Sequence, residues 1–265
     1  MNDDAPVSRL IRIMRALRDP QTGCPWDREQ TMASIVPHTL EEAYEVAEAV
    51  DEQNPNALRD ELGDLLFQVV FLAALADEAG WFNFNDVATS IAEKLERRHP
   101  HVFGSNTILT AEAQTESWES LKAAERAKGG ASGALAGVAK ALPALTRASK
   151  LGKRAGRIGF DWPTAEGVRS KVSEELGELD EAVSLGESRE RQQEELGDVL
   201  FALANWARRL GLDPEAALRA GNQKFESRFA RMEGLAEAER RPLDRLTLEE
   251  WEALWVRAKA IEKAG

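Results

Sequence analysis

The strongest constraint in this sequence is an internal duplication. "DELGDLLFQVVF" (60–71) and "EELGDVLFALAN" (194–205) share one register of acids and apolar residues. The segments around them match in the same order. "HTLEEAYEVAEAV" (38–50) precedes the first and "KVSEELGELDEAV" (171–183) the second. "IAEKLERRH" (91–99) and "SWESLKAAERAK" (117–128) follow the first; "GNQKFESRFARM" (221–232) and "EALWVRAKAIEK" (252–263) follow the second. Such self-similarity means one folding unit used twice.

Each matched segment has the period of a helix. Leu40, Ala43, Tyr44 and Ala47 recur at three- and four-residue spacing, as do Leu176, Leu179, Ala182 and Val183, and alternating β-branched runs are scarce. The expected fold is all-α: a tandem repeat of two helical bundles. Each is an antiparallel hairpin, a third helix carrying a Lys and an Arg, and a terminal helix carrying a Trp and a Lys. The Gly-rich stretch "AKGGASGALAG" (127–137) reads as a linker. It divides residues 1–126, an N-terminal helical domain, from residues 138–265, a C-terminal one. No strand precedes its glycines, so they form no dinucleotide fingerprint, and no P-loop pattern occurs.

The 265 residues are 43% hydrophobic and 30% charged, as in a globular protein, with a net charge of -12. That charge argues against nucleic acid and against an anionic membrane as partners. No apolar run approaches the roughly 18–20 residues of a membrane helix. The N-terminus "MNDDAPVSRL" does not read as a signal peptide. A single cysteine, Cys24, allows no intrachain disulfide and is compatible with a cytoplasmic setting.

Acids concentrate on the two hairpin helices. In the second copy Glu174, Glu175 and Glu178 share a helix face, and Glu195 and Asp198 are an i,i+3 pair on the next helix. The first copy repeats this with Glu41, Glu42 and Glu45, then Glu61 and Asp64. Asp198 directly precedes Val199, Leu200 and Phe201. It reads as a carboxylate at the edge of a core, where an unpartnered charge is costly. Helical Glu pairs are commonly solvated stripes, and Thr39 with Glu42 fits a capping box. Yet two acidic faces meeting across a hairpin repel by a few kcal/mol per pair, at about 4 Å and an effective dielectric near 20. A divalent cation compensates this, and all-oxygen ligands select magnesium or manganese over zinc.

Lys224 and Arg228 form an i,i+4 pair on the third helix, matched by Lys94 and Arg98. They can neutralise the acids as an ion-pair network, or grip phosphate oxygens. Trp255 with Lys259, matched by Trp118 with Lys122, can stack on a base and hold a phosphate, or simply pack. His99 and His101 stand beside Arg97 and Arg98, which favours a structural role over metal binding, and Cys24 has no evident base nearby. The three histidines, His38, His99 and His101, all lie in the first copy.

"EExxE" followed by "ExxD" resembles the all-α nucleoside triphosphate pyrophosphatase superfamily. "GCPWDREQT", "HTLEEAYEV", "ELGDLLFQVVF", "KLERRHPHVFG", "KRAGRIGFDW" and "EELGDVLFALANWARRLG" resemble its MazG family over nearly the whole chain. The resemblance implies magnesium-dependent hydrolysis of a nucleoside triphosphate to a monophosphate and pyrophosphate, by a homodimer. It implies broad use of ribo- and deoxyribonucleotides, in cleaning or regulating the nucleotide pool. It further implies Glu175, Glu178, Glu195 and Asp198 as metal ligands. Lys171, Glu174, Arg191, Glu194, Asp198, Asn222, Lys224, Arg228, Trp255 and Lys259 are implied as nucleotide contacts. Glu42, Glu45, Glu61 and Asp64 are the corresponding second metal site.

The copies differ around these acids. His38 replaces Lys171, Ala57 replaces Arg191, Asp60 replaces Glu194 and Ala92 replaces Asn222. The second copy is therefore the expected main active site, and the first a weaker site or a dimerisation unit. In the expected chemistry water attacks a phosphorus and pyrophosphate leaves. Magnesium polarises the phosphates, Lys224 and Arg228 stabilise their charge, and Glu174 orients or deprotonates the water, with Glu175 holding the metal. Two alternatives stay open. One is a narrower pyrophosphatase for dUTP or phosphoribosyl-ATP. The other is a non-catalytic helical dimer that senses nucleotides or binds a partner, its acids paired with Lys224 and Arg228.

Overall fold

The computed structural model describes residues 5–104, 110, 114, 118, 121 and 133–264. Among them every regular element is helical. The chain divides into two compact units, Met1–Lys122 and Ala123–Gly265. Much of the expected linker, including residues 127–132, lies outside the described residues, as does Lys122.

The first unit comprises α1 (Pro6–Leu17), α2 (Pro25–Glu29), α3 (Met32–Asp51), α4 (Pro55–Glu78), α5 (Phe84–Arg98) and the single turn α6 (Pro100–Phe103). Helices α3 and α4 form the hairpin, with α1 and α5 against α4. Met14, Ile35, Val70, Phe71 and Leu75 make the buried core. Arg18 ties the unit together. It pairs with both carboxylate oxygens of Glu78 at 2.6 and 2.7 Å, donates to the Asp27 carbonyl, and lies 5.3 Å from the Phe71 ring centroid.

Helix α3 begins earlier than the capping box read at Thr39 and Glu42. Thr31 caps it, accepting from the Ser34 amide while Ser34 accepts from the Thr31 amide. Thr39 is interior and its hydroxyl donates to the Ile35 carbonyl at 3.1 Å. Pro37 lies within the helix rather than before it.

The second unit comprises α7 (Ala144–Arg157), α8 (Ala165–Ser184), α9 (Arg189–Arg209), α10 (Pro214–Ala238), a short 3-10 turn (Leu243–Arg245) and α11 (Leu248–Ala264). Helices α8 and α9 are the hairpin, α7 packs on α9, and α10 packs on α11 around Met232, Ala236, Leu254 and Ala258. Thr164 and Ser188 cap the hairpin helices by accepting from the Gly167 and Arg191 amides.

The two hairpin cores are chemically unlike. Phe71 in the first copy corresponds to Asn205 in the second, and both are fully buried. Asn205 donates to the Phe201 carbonyl at 3.0 Å and accepts from Arg208 at 3.2 Å. Arg208 reaches on to Asp161 at 2.7 Å, and that hydrogen bond holds the Asp161 carboxyl below the usual carboxylate range. A packed ring in one copy is thus a satisfied polar network in the other.

Candidate metal and nucleotide site

On α8 and α9 the helical period selects which acids turn inward. Glu175 is in register with the buried Val168, Val172 and Ala182, and Glu195 with Val199 and Ala202. Glu195 is only 2% exposed and Glu175 is 7% exposed. Asp198 sits at the solvent side of the pair. One carboxylate oxygen each from Glu175, Glu195 and Asp198 lies within 4.8 Å of the others. Glu178 is exposed and is not in this trio.

This corrects the expectation drawn from Asp198. The acid at the core edge is Glu195, and Asp198 is exposed. Three residues along a helix is a turn of about 300°, enough to carry Asp198 off the buried stripe. Leu200 and Phe201, which made it look buried, are themselves 45% and 40% exposed.

Both inward glutamates meet a cation one turn earlier on their own helix. Lys171 Nζ lies 2.8 Å from an oxygen of Glu175 and 2.8 Å from one of Glu174. Hydrogen bonds first to Glu174 and then to Glu175 hold its ammonium above the usual lysine range. Arg191 pairs with Glu195 and lies 3.3 Å from Glu194 and 3.8 Å from Glu187. The ion-pair network is therefore not the one imagined with Lys224 and Arg228.

Those two cations sit on α10. Arg228 Nε donates to Glu262 at 2.7 Å and the guanidinium lies 5.4 Å from the Trp255 ring centroid. The Arg228 hydrogen bond, with further help from Arg231 and Lys224, holds the Glu262 carboxyl low. Trp255 packs against the α10–α11 core and lies 5.7 Å from Phe225. Lys224 and Asn222 are exposed, and Lys259 is half-buried. Glu262 escaped sequence reading because its partner lies 34 residues away, with no local spacing to link them. Its position in "AIEK" carries no signal of its own.

In the first copy one oxygen each from Glu42, Glu61 and Asp64 forms the matching trio within 4.8 Å. Here neither matched position carries a Lys or an Arg. His38 lies 3.6 Å from Glu41 and position 57 is Ala. Gln68 is a neutral substitute, donating to Glu42 at 3.3 Å, and among the described residues its own buried carbonyl oxygen meets no donor. Burial first, then the Asp64 charge and Glu45, push Glu42 up from the usual glutamate range. Burial first, then Glu45 and Asp64, do the same to Glu61. Glu45 thus belongs to the same electrostatic group although it is not in the trio.

His99 accepts the structural reading. Its Nδ1 lies 2.7 Å from the Leu95 carbonyl and its ring meets Trp118 edge-on at 5.1 Å. Trp118 donates to the Arg98 carbonyl at 3.0 Å.

Both trios are all-oxygen donor sets on rigid helices. Hard divalent cations of the magnesium and manganese type suit such sets. In the first copy, where Lys171 and Arg191 are replaced by His38 and Ala57, three carboxylates at this spacing repel one another unless a cation joins them.

Comparison with known proteins matches the same two regions. The model of the MazG nucleotide pyrophosphohydrolase domain fits residues 30–103 and again 164–231. The nucleoside triphosphate pyrophosphohydrolase of Escherichia coli (strain K12) is 46% identical over 257 residues, 97% of this chain and 98% of that one. The nucleoside triphosphate pyrophosphohydrolase/pyrophosphatase MazG of Thermotoga maritima is 43% identical over 250 residues, 94% of each. A solved mazG-related protein from Thermotoga maritima aligns at 28% identity and a TM-score of 0.38, covering 44% of this chain and 98% of that one.

Proposed function

The chain belongs to the MazG nucleotide pyrophosphohydrolase family, and from that premise we propose that it hydrolyses nucleoside triphosphates to monophosphate and pyrophosphate. The observation that carries this is the convergence of Glu175, Glu195 and Asp198 within 4.8 Å on paired helices. Beside them stand Lys171 and Arg191, which phosphates can claim.

Glu175, Glu195 and Asp198 hold a divalent metal, magnesium in the first instance with manganese as a substitute, and Glu178 joins them from the next turn. The metal supplies Lewis-acid polarisation of phosphate oxygens when bound. Lys224 and Arg228 stabilise negative charge on the phosphates, as positioned cations do in phosphoryl transfer. Glu174, exposed and beside the trio, accepts a proton from the attacking water or orients it. Lys171, Arg191, Glu194, Asn222 and Lys259 contact the nucleotide, and Trp255 offers its ring to the base. The first copy keeps Glu42, Glu45, Glu61 and Asp64 as a second metal site, but without the two cations that phosphates can claim it is the weaker nucleotide site.

Dimerisation has support from apolar side chains left exposed on the second hairpin. Leu176, Val183, Leu196, Leu200 and Phe201 are each at least 40% exposed. A second copy is the occupant proposed for such a face. Among the described residues no helix is long and apolar enough to cross a membrane. The lone thiol suits the cytoplasm, where we place the enzyme.

The test is pyrophosphate release over a panel of ribo- and deoxyribonucleoside triphosphates, dUTP and phosphoribosyl-ATP, with magnesium. Full-length protein carrying Glu61→Gln or Glu195→Gln separates the copies. Release abolished by Glu195→Gln and retained by Glu61→Gln supports the second copy as the main site. The converse pattern moves the activity to the first.

A further inference from the structure

Lys171 and Arg191 differ from ordinary surface cations in what they touch. Each reaches one of the two inward carboxylates that also build the metal trio, and each does so from one turn earlier on the same helix. Their partners are nearly enclosed: the side chains of Glu175 and Glu195 are 9% and 3% exposed, against 32% for Lys171 and 51% for Arg191. The cations can therefore swing to solvent while the acids cannot. A nearly enclosed carboxylate is costly as a charge unless a counter-ion stands beside it. In the first copy both cation positions are changed, to His38 and Ala57, and Glu42 accepts instead from the neutral Gln68 amide.

We infer that Lys171 and Arg191 are displaceable counter-ions that occupy the metal ligands of the second copy until a divalent cation arrives, and are then released toward the triphosphate. This rests on the metal reading of the trio. Metal binding in the second copy is thus an exchange of two internal cations for one external dication. The exchange lowers metal affinity in the absence of nucleotide. It also frees two positive side chains at the moment a polyanionic substrate is to be bound, so that metal and nucleotide favour each other. The first copy lacks the exchange, so its metal affinity is set by its acids alone.

The test is calorimetric titration of full-length protein with Mn2+, without nucleotide, in a Glu61→Gln/Asp64→Asn background that silences the first trio. Lys171→Gln and Arg191→Gln should each tighten Mn2+ binding about threefold, and together about tenfold, the scale of partly exposed ion pairs. Lys171→Arg should restore the starting affinity. Arg169→Gln is the control, because it removes a charge from the same helix two residues away. A through-space effect alone would move it as much as Lys171→Gln, and that result overturns the exchange. So does unchanged or weaker Mn2+ binding in Lys171→Gln and Arg191→Gln. Absence of any Mn2+ heat that Glu175→Gln removes would instead sink the metal reading itself, and the exchange with it.

Discussion

Gly152 and Asn205 are a matched pair: a Cβ placed on Gly152 would lie 1.6 Å from the Asn205 Oδ1. Asn205 can occupy the place that Phe71 fills in the first copy only because α7 presents no side chain there. Gly152→Ala therefore breaks the polar network through Arg208 and Asp161. The expected loss is about 2–4 kcal/mol, the range for overpacking plus a disrupted buried hydrogen bond. Urea denaturation of the variant measures it. A loss below about 0.5 kcal/mol would mean that α7 shifts away at little cost.

The hairpin turns make a second comparison. Gly186 has a φ of +65°, and the corresponding residue of the first copy, Gln53, has a φ of +53°. A side chain in the left-handed region is strained, while glycine is not. Gln53→Gly is expected to raise stability by about 0.5–1 kcal/mol, and Gly186→Gln to lower it by a similar amount. Thermal melts of the two variants in the same buffer check the pair of signs.

Metal dependence gives a third outcome. Saturating magnesium should raise the melting temperature of wild-type protein. Ligand at about 100 times its dissociation constant contributes about 2.7 kcal/mol. Glu175→Gln and Glu195→Gln should lose the second-copy part of that shift and reduce pyrophosphate release by roughly 100-fold or more, with helical circular dichroism unchanged. EDTA should reproduce the loss in wild type. Wild-type turnover in pure Glu175→Gln would remove Glu175 from the metal site.

The first trio predicts a pH effect. Glu42 and Glu61 are pushed upward by burial and by neighbouring acids. A carboxyl whose folded pKa is raised binds protons more readily in the folded state. Its ionisation costs stability, and that cost is complete above the raised folded pKa and absent below the unfolded value of about 4.3. In EDTA, Glu61→Gln should therefore melt higher than wild type at neutral pH, with the difference vanishing toward pH 4. A difference that is constant across this range would assign the effect to packing rather than charge.

Much of this protein is legible in its sequence. The duplication, the all-helical class and the two acid-bearing helices follow from spacing alone, because a period of 3.6 residues and an order of matching segments need no tertiary information. The same is true of the asymmetry between copies, since His38 for Lys171 and Ala57 for Arg191 are differences of composition at matched positions.

Spacing does not say which stripe of a helix meets another helix. Asp198 looked like the inward acid because apolar residues follow it, and only the packing of α8 on α9 turned Glu195 inward and left Asp198 at the solvent side. Helix α3 likewise runs through Pro37, because Thr31 and Ser34 secure its start a turn and a half earlier. Partner choice was decided the same way. Lys171 and Arg191 lie within reach of Glu175 and Glu195 along their own helices, whereas Arg228 finds Glu262 across two helices. A helix fixes the relative direction of its own side chains; which of them are enclosed, and by what, depends on distances between helices that only the folded chain sets.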